Sequence, residues 1–303
     1  MHTTEYEYYQ PPFPSYNVAQ KAVIPFLDKD VNLIISFQTA VGKTVLAEGA
    51  FGFHLSTDKG RVIYVSPFKS LSQEKFNDWS SNSQMSKHGV LLSTGDHLAS
   101  PEDYTDKRIA VITTESFDSK TRNERYQSWL EGATCVVFDE AHLLGTPGRG
   151  AAMEAAMMRF TLINPTARLI LLSATMSNGV QVAKWVKSLN KKQTKFIQSD
   201  WRPNKLNVTT HVVEDGFDDK ICKAVEIAKN ARFDKKILIF VHSKAVGNEI
   251  VKRARKNGIK CAFHNASLKP GARAKIEGMF NSSSSGMNVL VSTSTLGAGV
   301  NLG

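Results

Sequence analysis

The chain has 303 residues, of which 42% are hydrophobic and 22% are charged. This length allows two packed domains, and the composition excludes a disordered chain and a short disulfide or metal scaffold. The first residues lack the features of a secretory signal, and no apolar run approaches the roughly 18 residues of a membrane span. Three widely spaced cysteines predict neither a disulfide framework nor a metal site. We therefore expect an intracellular protein, cytoplasmic or nuclear, that does not bind a membrane.

The net charge of +10 is unevenly distributed along the sequence. Residues 1–200 carry 21 basic and 20 acidic side chains, whereas residues 201–303 carry 17 basic and 8 acidic side chains. A basic surface attracts phosphate-rich polymers because binding releases their counterions. The C-terminal third therefore predicts nucleic acid as the first partner to consider. The alternative is a basic surface that serves solubility alone.

Short apolar runs alternate with helical patterns along the chain. A first series comprises residues 31–36, 61–66, 109–113, 134–138 and 169–172, and a second comprises residues 236–241, 261–263 and 288–292. Runs that are apolar on both faces and separated by helices are typical of buried parallel strands. Residues 199–207 show little periodicity. We predict an α/β protein with a first domain at residues 1–200, a linker at 201–210 and a second domain at 211–303.

A phosphate-binding loop is predicted where the run VNLIIS ends. The next residues, 37–44, read FQTAVGKT and precede a helical pattern. Loop amide groups and the helix N-terminus would surround the phosphates of a nucleotide, with Lys43 on the β and γ phosphates and the Thr44 hydroxyl on magnesium. Phe37 stands where the strict pattern has its first glycine, so a chance Gly-Lys pair in a turn is the alternative.

Two acidic residues follow the apolar run TCVVF, at a strand end where α/β sheets bind ligands. Asp139 could hold magnesium directly or through water, and Glu140 could polarise the water that attacks the γ phosphate. Taken alone, two acids at this point are equally typical of a solvated strand end. Together with the earlier Gly-Lys-Thr, they favour a site for ATP and Mg²⁺.

The order of these motifs resembles that of superfamily 2 helicases. GKT, DEAH, SAT at 173–175 and TSTLGAGVN at 293–301 occur with the approximate spacing of that family. Further matches to its superkiller-like branch, which contains archaeal repair helicases and exosome helicases, are YVSPFKSLSQEK, GD at 95–96, TTE at 113–115, RG at 149–150, WRP at 201–203, IFVHSK and FHNASL. The resemblance implies two RecA-like parallel-sheet domains in tandem, with ATP between them and a nucleic-acid strand across both.

The resemblance also implies roles for individual residues around the nucleotide. Gln20 would read adenine, with an ordinary surface glutamine as the alternative. The implied ATP-binding residues are Gln20, Gln38, Thr39, Ala40, Val41, Gly42, Lys43, Thr44, Gly299 and Asn301. The implied catalytic residues are Glu140, Lys43 and Asp139, and Thr44 and Asp139 would hold the metal. The resemblance implies that His142, Ser173, Ala174 and Thr175 couple the ATP site to movement of the nucleic-acid strand.

The resemblance also implies contact with a nucleic-acid strand for Pro67, Lys69, Thr113, Thr114, Glu115, His242, Ser243 and Thr293. The alternative is that these are ordinary solvated surface residues. Small hydroxyls and a base suit phosphate contacts, which position a strand without reading its sequence. The basic residues within 252–256 lie on one predicted helix, where a solvated face is the favoured interpretation. The aromatic residues between Tyr6 and Tyr16 favour an arm that packs on the first domain over stacking on a base.

The family's next elements, a strand-separating hairpin and an arginine-rich motif VI, do not follow in this sequence. We therefore expect an incomplete second domain, either because the chain is truncated or because a partner chain supplies motif VI; Arg273 is the first substitute to consider. The predicted function is an ATP-dependent helicase or translocase that acts on single-stranded or partly duplex DNA or RNA, and the resemblance implies 3′ to 5′ movement. Alternatives are an ATP-gated binding or remodelling subunit with negligible turnover and a metabolic P-loop kinase.

Overall fold

The computed structural model describes residues 7–214, 216–231, 235–293 and 296, apart from the side chain of residue 270. The chain divides into two compact units, Met1–Lys205 (unit 1) and Leu206–Gly303 (unit 2). Within the described ranges, no helix is both long and apolar enough to cross a membrane.

Unit 1 is built on a parallel sheet. Its strands β1 to β7 are Asn32–Phe37, Val62–Ser66, Val90–Ser93, Ile109–Thr113, Cys135–Phe138, Arg168–Ser173 and Thr194–Ser199. Their order across the sheet is β3-β4-β2-β5-β6-β1-β7, and every pair is parallel. The carboxyl ends of the strands therefore share one edge, where ligands bind in open α/β sheets.

Helices connect these strands and cover both faces of the sheet. Helices α1 to α8 are Val18–Lys21, Lys43–Leu55, Lys69–Ser81, Ser83–Ser86, Thr114–Thr121, Gln127–Glu131, Arg149–Ile163 and Gly179–Asn190. Short 3₁₀ helices lie at Ile24–Phe26, Pro101–Tyr104, Glu124–Tyr126 and Ala141–Leu143. Because successive strand residues face opposite sides, Leu33 and Ile35 enter one core cluster and Ile34 enters the other.

The strands at the two edges of the sheet, β3 and β7, were not among the runs that the sequence predicts. Val90 and Leu91 in β3 are only partly buried, and β7 has the largely polar sequence TKFIQS. An edge strand is covered on fewer sides than a central one, so it lacks the continuous apolar run by which central strands are recognised. Ser199, which begins the segment of low periodicity, is the last residue of β7.

The aromatic arm before α1 packs on unit 1, as the sequence predicts. Tyr9 and Tyr16 are 2% and 8% exposed, and Phe13 packs against the same core cluster. The Tyr9 hydroxyl donates a hydrogen bond to Glu48 of α2 at 2.5 Å. Tyr6 lies outside the described residues.

Unit 2 contains a second, smaller parallel sheet. Its strands β8 to β10 are Ile237–Phe240, Cys261–His264 and Val289–Ser292, its helices α9 to α11 are Phe217–Asn230, Lys244–Lys256 and Pro270–Asn281, and a 3₁₀ helix lies at Ser283–Ser285. In the described part of this unit the strand order is β8-β10-β9. The predicted α/β class with two parallel sheets is confirmed.

Candidate functional site

The loop between β1 and α2 turns through two residues in the left-handed region. Ala40 has a φ of 64° and Gly42 a φ of 83°, and Gly42 is the N-cap of α2. A Cβ atom on Gly42 would lie 2.7 Å from Nε2 of Gln20, so both the backbone conformation and the available space favour glycine. The amide groups of the first turn of α2 have no partner within the helix, which makes this terminus suited to an anion.

Two residues at the start of α1 hold this loop in place through hydrogen bonds to its carbonyls. Asn17 forms a capping box with Gln20, and its Nδ2 donates to the Val41 carbonyl at 3.0 Å. Nε2 of Gln20 donates to the Gly42 carbonyl at 3.2 Å, and Oε1 of Gln20 accepts from the Asn17 amide. Gln20 is 2% exposed. It is therefore a buried contact of the phosphate loop and not a surface glutamine; its recognition of adenine stays a prediction.

The Lys43 ammonium lies inside the loop. Nζ donates to the carbonyls of Phe37 and Gln38 at 3.0 and 3.2 Å. Burial lowers the pKa of Lys43, and the charges of Glu140 and Asp139 oppose this effect. Lys43 follows the carboxyl end of β1, and both carboxylates follow that of β5, which is separated from β1 by β6 alone. The predicted lysine and both predicted carboxylates thus lie at the same edge of the sheet.

Asp139 lies at the carboxyl end of β5, in the middle of the sheet. Its backbone amide donates to the Val65 carbonyl at 2.9 Å, which extends the pairing of β5 with β2. One carboxylate oxygen accepts a hydrogen bond from the Tyr64 hydroxyl, and the other accepts from the Glu140 amide at 2.8 Å. Asp139 is 7% exposed. Burial, and then the Asp139 charge, raise the pKa of Tyr64, so the phenol remains a donor.

Glu140 occupies the left-handed region, with a φ of 53°, which is uncommon for a residue other than glycine. Its Oε2 lies 3.2 Å from Nδ1 of His142. Burial and the Asp139 charge raise the pKa of Glu140, whereas Lys43 lowers it. Burial and Lys43 lower the pKa of His142, which favours the neutral imidazole. Backbone conformations of this kind persist at functional sites where the surroundings impose them.

The predicted coupling segment is attached to the end of β1 through one hydroxyl. Ser36 Oγ donates to the Ala174 carbonyl at 3.1 Å and accepts from the Met176 amide at 3.1 Å. Ser173 pairs with Ser36 in the register of β1 and β6 and is fully buried, whereas Thr175 is exposed. The phosphate loop and the segment 173–175 thus begin from adjacent strands.

Two of the predicted strand-contacting residues of unit 1, Lys69 and Glu115, form ion pairs with other exposed residues. Lys69 Nζ lies 2.8 Å from Asp96, which lowers the pKa of that carboxyl. Arg149 Nε lies 3.6 Å from Glu115, and the guanidinium lies 4.8 Å from the centre of the Phe68 ring. These contacts connect segments that are distant in sequence.

Other predicted strand-contacting side chains of unit 1 are buried. Pro67, Thr113 and Thr114 are buried, the latter two at 2% and 0% exposure. The Thr114 hydroxyl has no hydrogen-bond partner among the described atoms. Contact between a nucleic acid and residues 113–114 would therefore use backbone amides at the start of α5 and not these hydroxyls.

The predicted residues of unit 2 lie where its strands end. His242 and Ser243 are exposed, and Ser243 Oγ accepts from the Val246 amide as the N-cap of α10. The Thr293 amide donates to the His264 carbonyl at 3.2 Å. Gly299 and Asn301 lie outside the described residues. Part of the positive charge of α10 is paired within unit 2, because Arg253 forms ion pairs with Asp218 and Glu249.

Sequence reasoning missed two residues that shape the nucleotide loop and the acidic motif. Asn17 carries the signal of a capping box, an asparagine three residues before a glutamine, and this pattern could have identified it. Tyr64 carries no such signal, because a tyrosine within the run VIYVS resembles any other core residue. Only the pairing of β2 with β5 places its hydroxyl at Asp139.

Comparison with protein families and with individual relatives gives consistent results. The DEAD/DEAH box helicase family matches residues 17–183, and the helicase conserved C-terminal domain matches residues 218–303. The ATP-dependent DNA helicase Hel308 of Pyrococcus abyssi is 30% identical over 89% of this chain and 41% of the relative. The Hel308 of Thermoplasma volcanium is 28% identical over 93% of this chain and 45% of the relative. The chain thus spans less than half the length of these relatives.

Solved helicase structures share the fold. Saccharomyces cerevisiae Dbp5 bound to RNA and ADP BeF3 aligns with a TM-score of 0.69 at 18% identity, over 96% of this chain and 73% of that one. Mycobacterium smegmatis helicase Lhr bound to ssDNA and AMP-PNP aligns with a TM-score of 0.71 at 21% identity, over 96% and 41%. These likenesses establish tandem RecA-like architecture. Because its family match spans more than half of its length, the chain belongs to the DEAD/DEAH box helicase family.

Proposed function

We propose that this chain is the motor part of an ATP-dependent nucleic-acid helicase or translocase that acts inside the cell. Its domains would be residues 1–200 and 211–303, joined by a linker at 201–210. The observation that carries the proposal is that Lys43, Asp139 and Glu140 share one edge of the parallel sheet, where the two carboxylates also favour the charged form of the buried ammonium. Phosphoryl transfer requires a cation in the loop before α2 and acidic residues nearby, here at the end of β5, the next strand but one.

Nucleotide binding would use groups that already face the loop. The ammonium of Lys43 would exchange the carbonyls of Phe37 and Gln38 for phosphate oxygens, which carry more negative charge. The Thr44 hydroxyl and the Asp139 carboxylate are hard oxygen donors, so they fit a magnesium ion that also binds phosphate. When bound, that ion would neutralise charge on the phosphates.

Hydrolysis would depend on Glu140 as the residue that orients and polarises the attacking water. Its pKa is raised by burial and by Asp139, which makes it a stronger base than an exposed glutamate. His142, 3.2 Å away, would connect this carboxylate to the segment 173–175 during strand movement. For Gly299 and Asn301 we carry over the role of nucleotide contacts from the family resemblance alone.

The nucleic acid would contact two separate sets of residues: Lys69, Arg149 and the start of α5 in unit 1, and His242, Ser243 and Thr293 in unit 2. Contacts of this kind bind the phosphate backbone and position a strand without selecting its sequence. We propose single-stranded DNA as the first substrate, because the Hel308 relatives are named DNA helicases. The 3′ to 5′ direction is carried over from the family resemblance.

The test measures nucleotide binding on the 303-residue polypeptide and its variants, and turnover on the longest form of the protein that hydrolyses ATP. Nucleotide binding and ATP turnover are measured alone and with DNA and RNA oligonucleotides of equal length. Lys43→Ala should weaken ATP binding, whereas Glu140→Gln should keep binding and lose turnover by about a hundredfold or more. Turnover that Glu140→Gln leaves unchanged would refute the assigned chemistry.

The same measurements separate the competing functions. Strong nucleotide binding that changes DNA affinity without turnover would favour an ATP-gated binding subunit. Turnover that no polynucleotide stimulates would favour a metabolic kinase. Turnover stimulated by RNA but not by DNA would keep the helicase function and change its substrate.

A further inference from the structure

The orientation of the Asp139 carboxylate is determined by a side chain on a neighbouring strand. Tyr64, near the middle of β2, is fully buried, and its hydroxyl donates to Oδ2 of Asp139. The other oxygen accepts the Glu140 amide at 2.8 Å. With one donor on each oxygen, rotation of the carboxylate would break a hydrogen bond in a buried site, which is costly.

The Tyr64 ring is in turn held by Trp79 of α3. The two rings meet edge to face, with centroids 5.1 Å apart and an interplanar angle of 85°. Trp79 is fully buried, and its indole Nε1 donates to Oε1 of Glu48 at 2.7 Å. The hydrogen bond fixes the indole, and the indole fixes the position of the phenol.

Glu48 links this cluster to the helix that carries Lys43 and to the N-terminal arm. It lies on α2, one turn beyond Thr44, and is 9% exposed. Its second oxygen accepts the Tyr9 hydroxyl at 2.5 Å. The run of contacts Tyr9, Glu48, Trp79, Tyr64 and Asp139 is therefore continuous, and its three aromatic members belong to one core cluster. It connects α2, which begins at Lys43, with the carboxylate that follows β5.

A purely structural role explains this arrangement poorly. Phenylalanine would fill the same core volume without placing a hydroxyl in an apolar cluster, where an unsatisfied hydroxyl is unfavourable. The Tyr64 hydroxyl contacts Asp139, and Asp139 is the residue proposed to hold magnesium. The reason for a tyrosine at this position is therefore its effect on that carboxylate.

We propose that Tyr64 is a positioning residue for ATP hydrolysis: its hydroxyl holds Asp139 in the orientation that receives the magnesium-nucleotide, and the Trp79–Glu48 pair holds Tyr64. This inference rests on the proposed ATPase function. It predicts that removing the hydroxyl weakens the response of the site to magnesium while the phosphate loop itself remains intact.

The experiment compares the wild-type chain with Tyr64→Phe, using N-methylanthraniloyl ATP as the fluorescent probe. Affinity measured in EDTA should stay within about twofold, because Lys43 and the loop amides are unchanged. The Mg²⁺ concentration that gives half of the additional binding should rise about tenfold to a hundredfold, as expected for the loss of one hydrogen bond to a charged group. In ATPase assays kcat should fall more than KM rises.

Two further variants make the result decisive. Tyr104→Phe, which removes a fully buried hydroxyl from the other core cluster, should leave the magnesium response unchanged. Glu48→Leu, which has a similar volume and cannot accept a hydrogen bond from Tyr9 or Trp79, should shift the magnesium response in the same direction as Tyr64→Phe by a smaller factor.

The outcomes separate this inference from the function on which it rests. If wild type binds nucleotide with a magnesium response and Tyr64→Phe behaves identically, the positioning role is wrong and the ATPase function stands. A loss of binding by Tyr64→Phe in EDTA as well would show a general structural role, which also overturns the proposal. A wild-type chain that binds no nucleotide would overturn both.

Discussion

Lys120 offers a direct test of how this fold tolerates a buried charge. The residue lies on α5 and is 5% exposed, and its ammonium donates to Ser116 Oγ at 3.2 Å. The ammonium also lies 5.6 and 4.7 Å from the ring centres of Tyr104 and Tyr126. Burial lowers the pKa of Lys120 to about 8 from its ordinary value of 10.5. We predict that Lys120→Met stabilises unit 1 at neutral pH.

The magnitude follows from the two pKa values. With a folded-state pKa of about 8 and an unfolded-state value of 10.5, the protonated side chain costs about 3 kcal/mol below pH 8. The tyrosine rings favour the charged form by about 0.5–2 kcal/mol, so we expect a net gain of about 1–3 kcal/mol for Lys120→Met. Between pH 8 and 10.5 the unfolded state binds more protons than the folded state, so wild-type stability should rise with pH there and the advantage of the variant should shrink.

Urea unfolding followed by tryptophan fluorescence measures this effect, because all four tryptophans lie in unit 1. Other groups also titrate above pH 8, so the quantity to compare is the stability difference between Lys120→Met and wild type at each pH. Lys59→Met, at an exposed lysine of the same unit, controls for the loss of a charge alone. A difference between Lys120→Met and wild type that stays constant from pH 7 to 10.5 would refute the reasoning.

Three further changes have defined outcomes. In a salt titration, the affinity for single-stranded DNA should fall by about 0.7 log unit per log unit of salt for each neutralised phosphate. Lys69→Ala removes one phosphate contact, so it should reduce the slope by about 0.7. Gly42→Ala should weaken nucleotide binding, because its φ is 83° and its Cβ would lie 2.7 Å from Gln20; an unchanged affinity would contradict the geometry. Arg168→Met should destabilise unit 1 by about 3 kcal/mol or more in urea unfolding, because the fully buried guanidinium donates to three backbone carbonyls before β1.

The central strands and the acidic motif were predictable from the sequence because each depends on local pattern. Ile109–Thr113 has the predicted bounds, and Cys135–Phe138 differs from the prediction by one residue. The edge strands β3 and β7 were not predictable in this way, because partial burial removes the apolar signal. A single sequence gives the chemistry of a strand but not its place in the sheet.

Side-chain contacts between distant segments were the least predictable part of the site. Motif order identified Lys43 and Asp139, yet nothing local to Thr114 shows that its hydroxyl points into the core. The pairing of Lys69 with Asp96 likewise depends on how the ends of β2 and β3 approach each other. These contacts are properties of the assembled sheet, so they become visible only once strand order and register are known.

The Ser36 hydroxyl attaches the segment after β6 to the end of β1 at two points. One oxygen donates to the Ala174 carbonyl and accepts from the Met176 amide, so both attachments share a single atom at the end of β1. A donor and acceptor that are about 3.6 Å apart no longer form a hydrogen bond, so a shift of about 0.5 Å would break either contact. Any larger displacement of residues 174–176 from the end of β1 must therefore exchange these two hydrogen bonds for others.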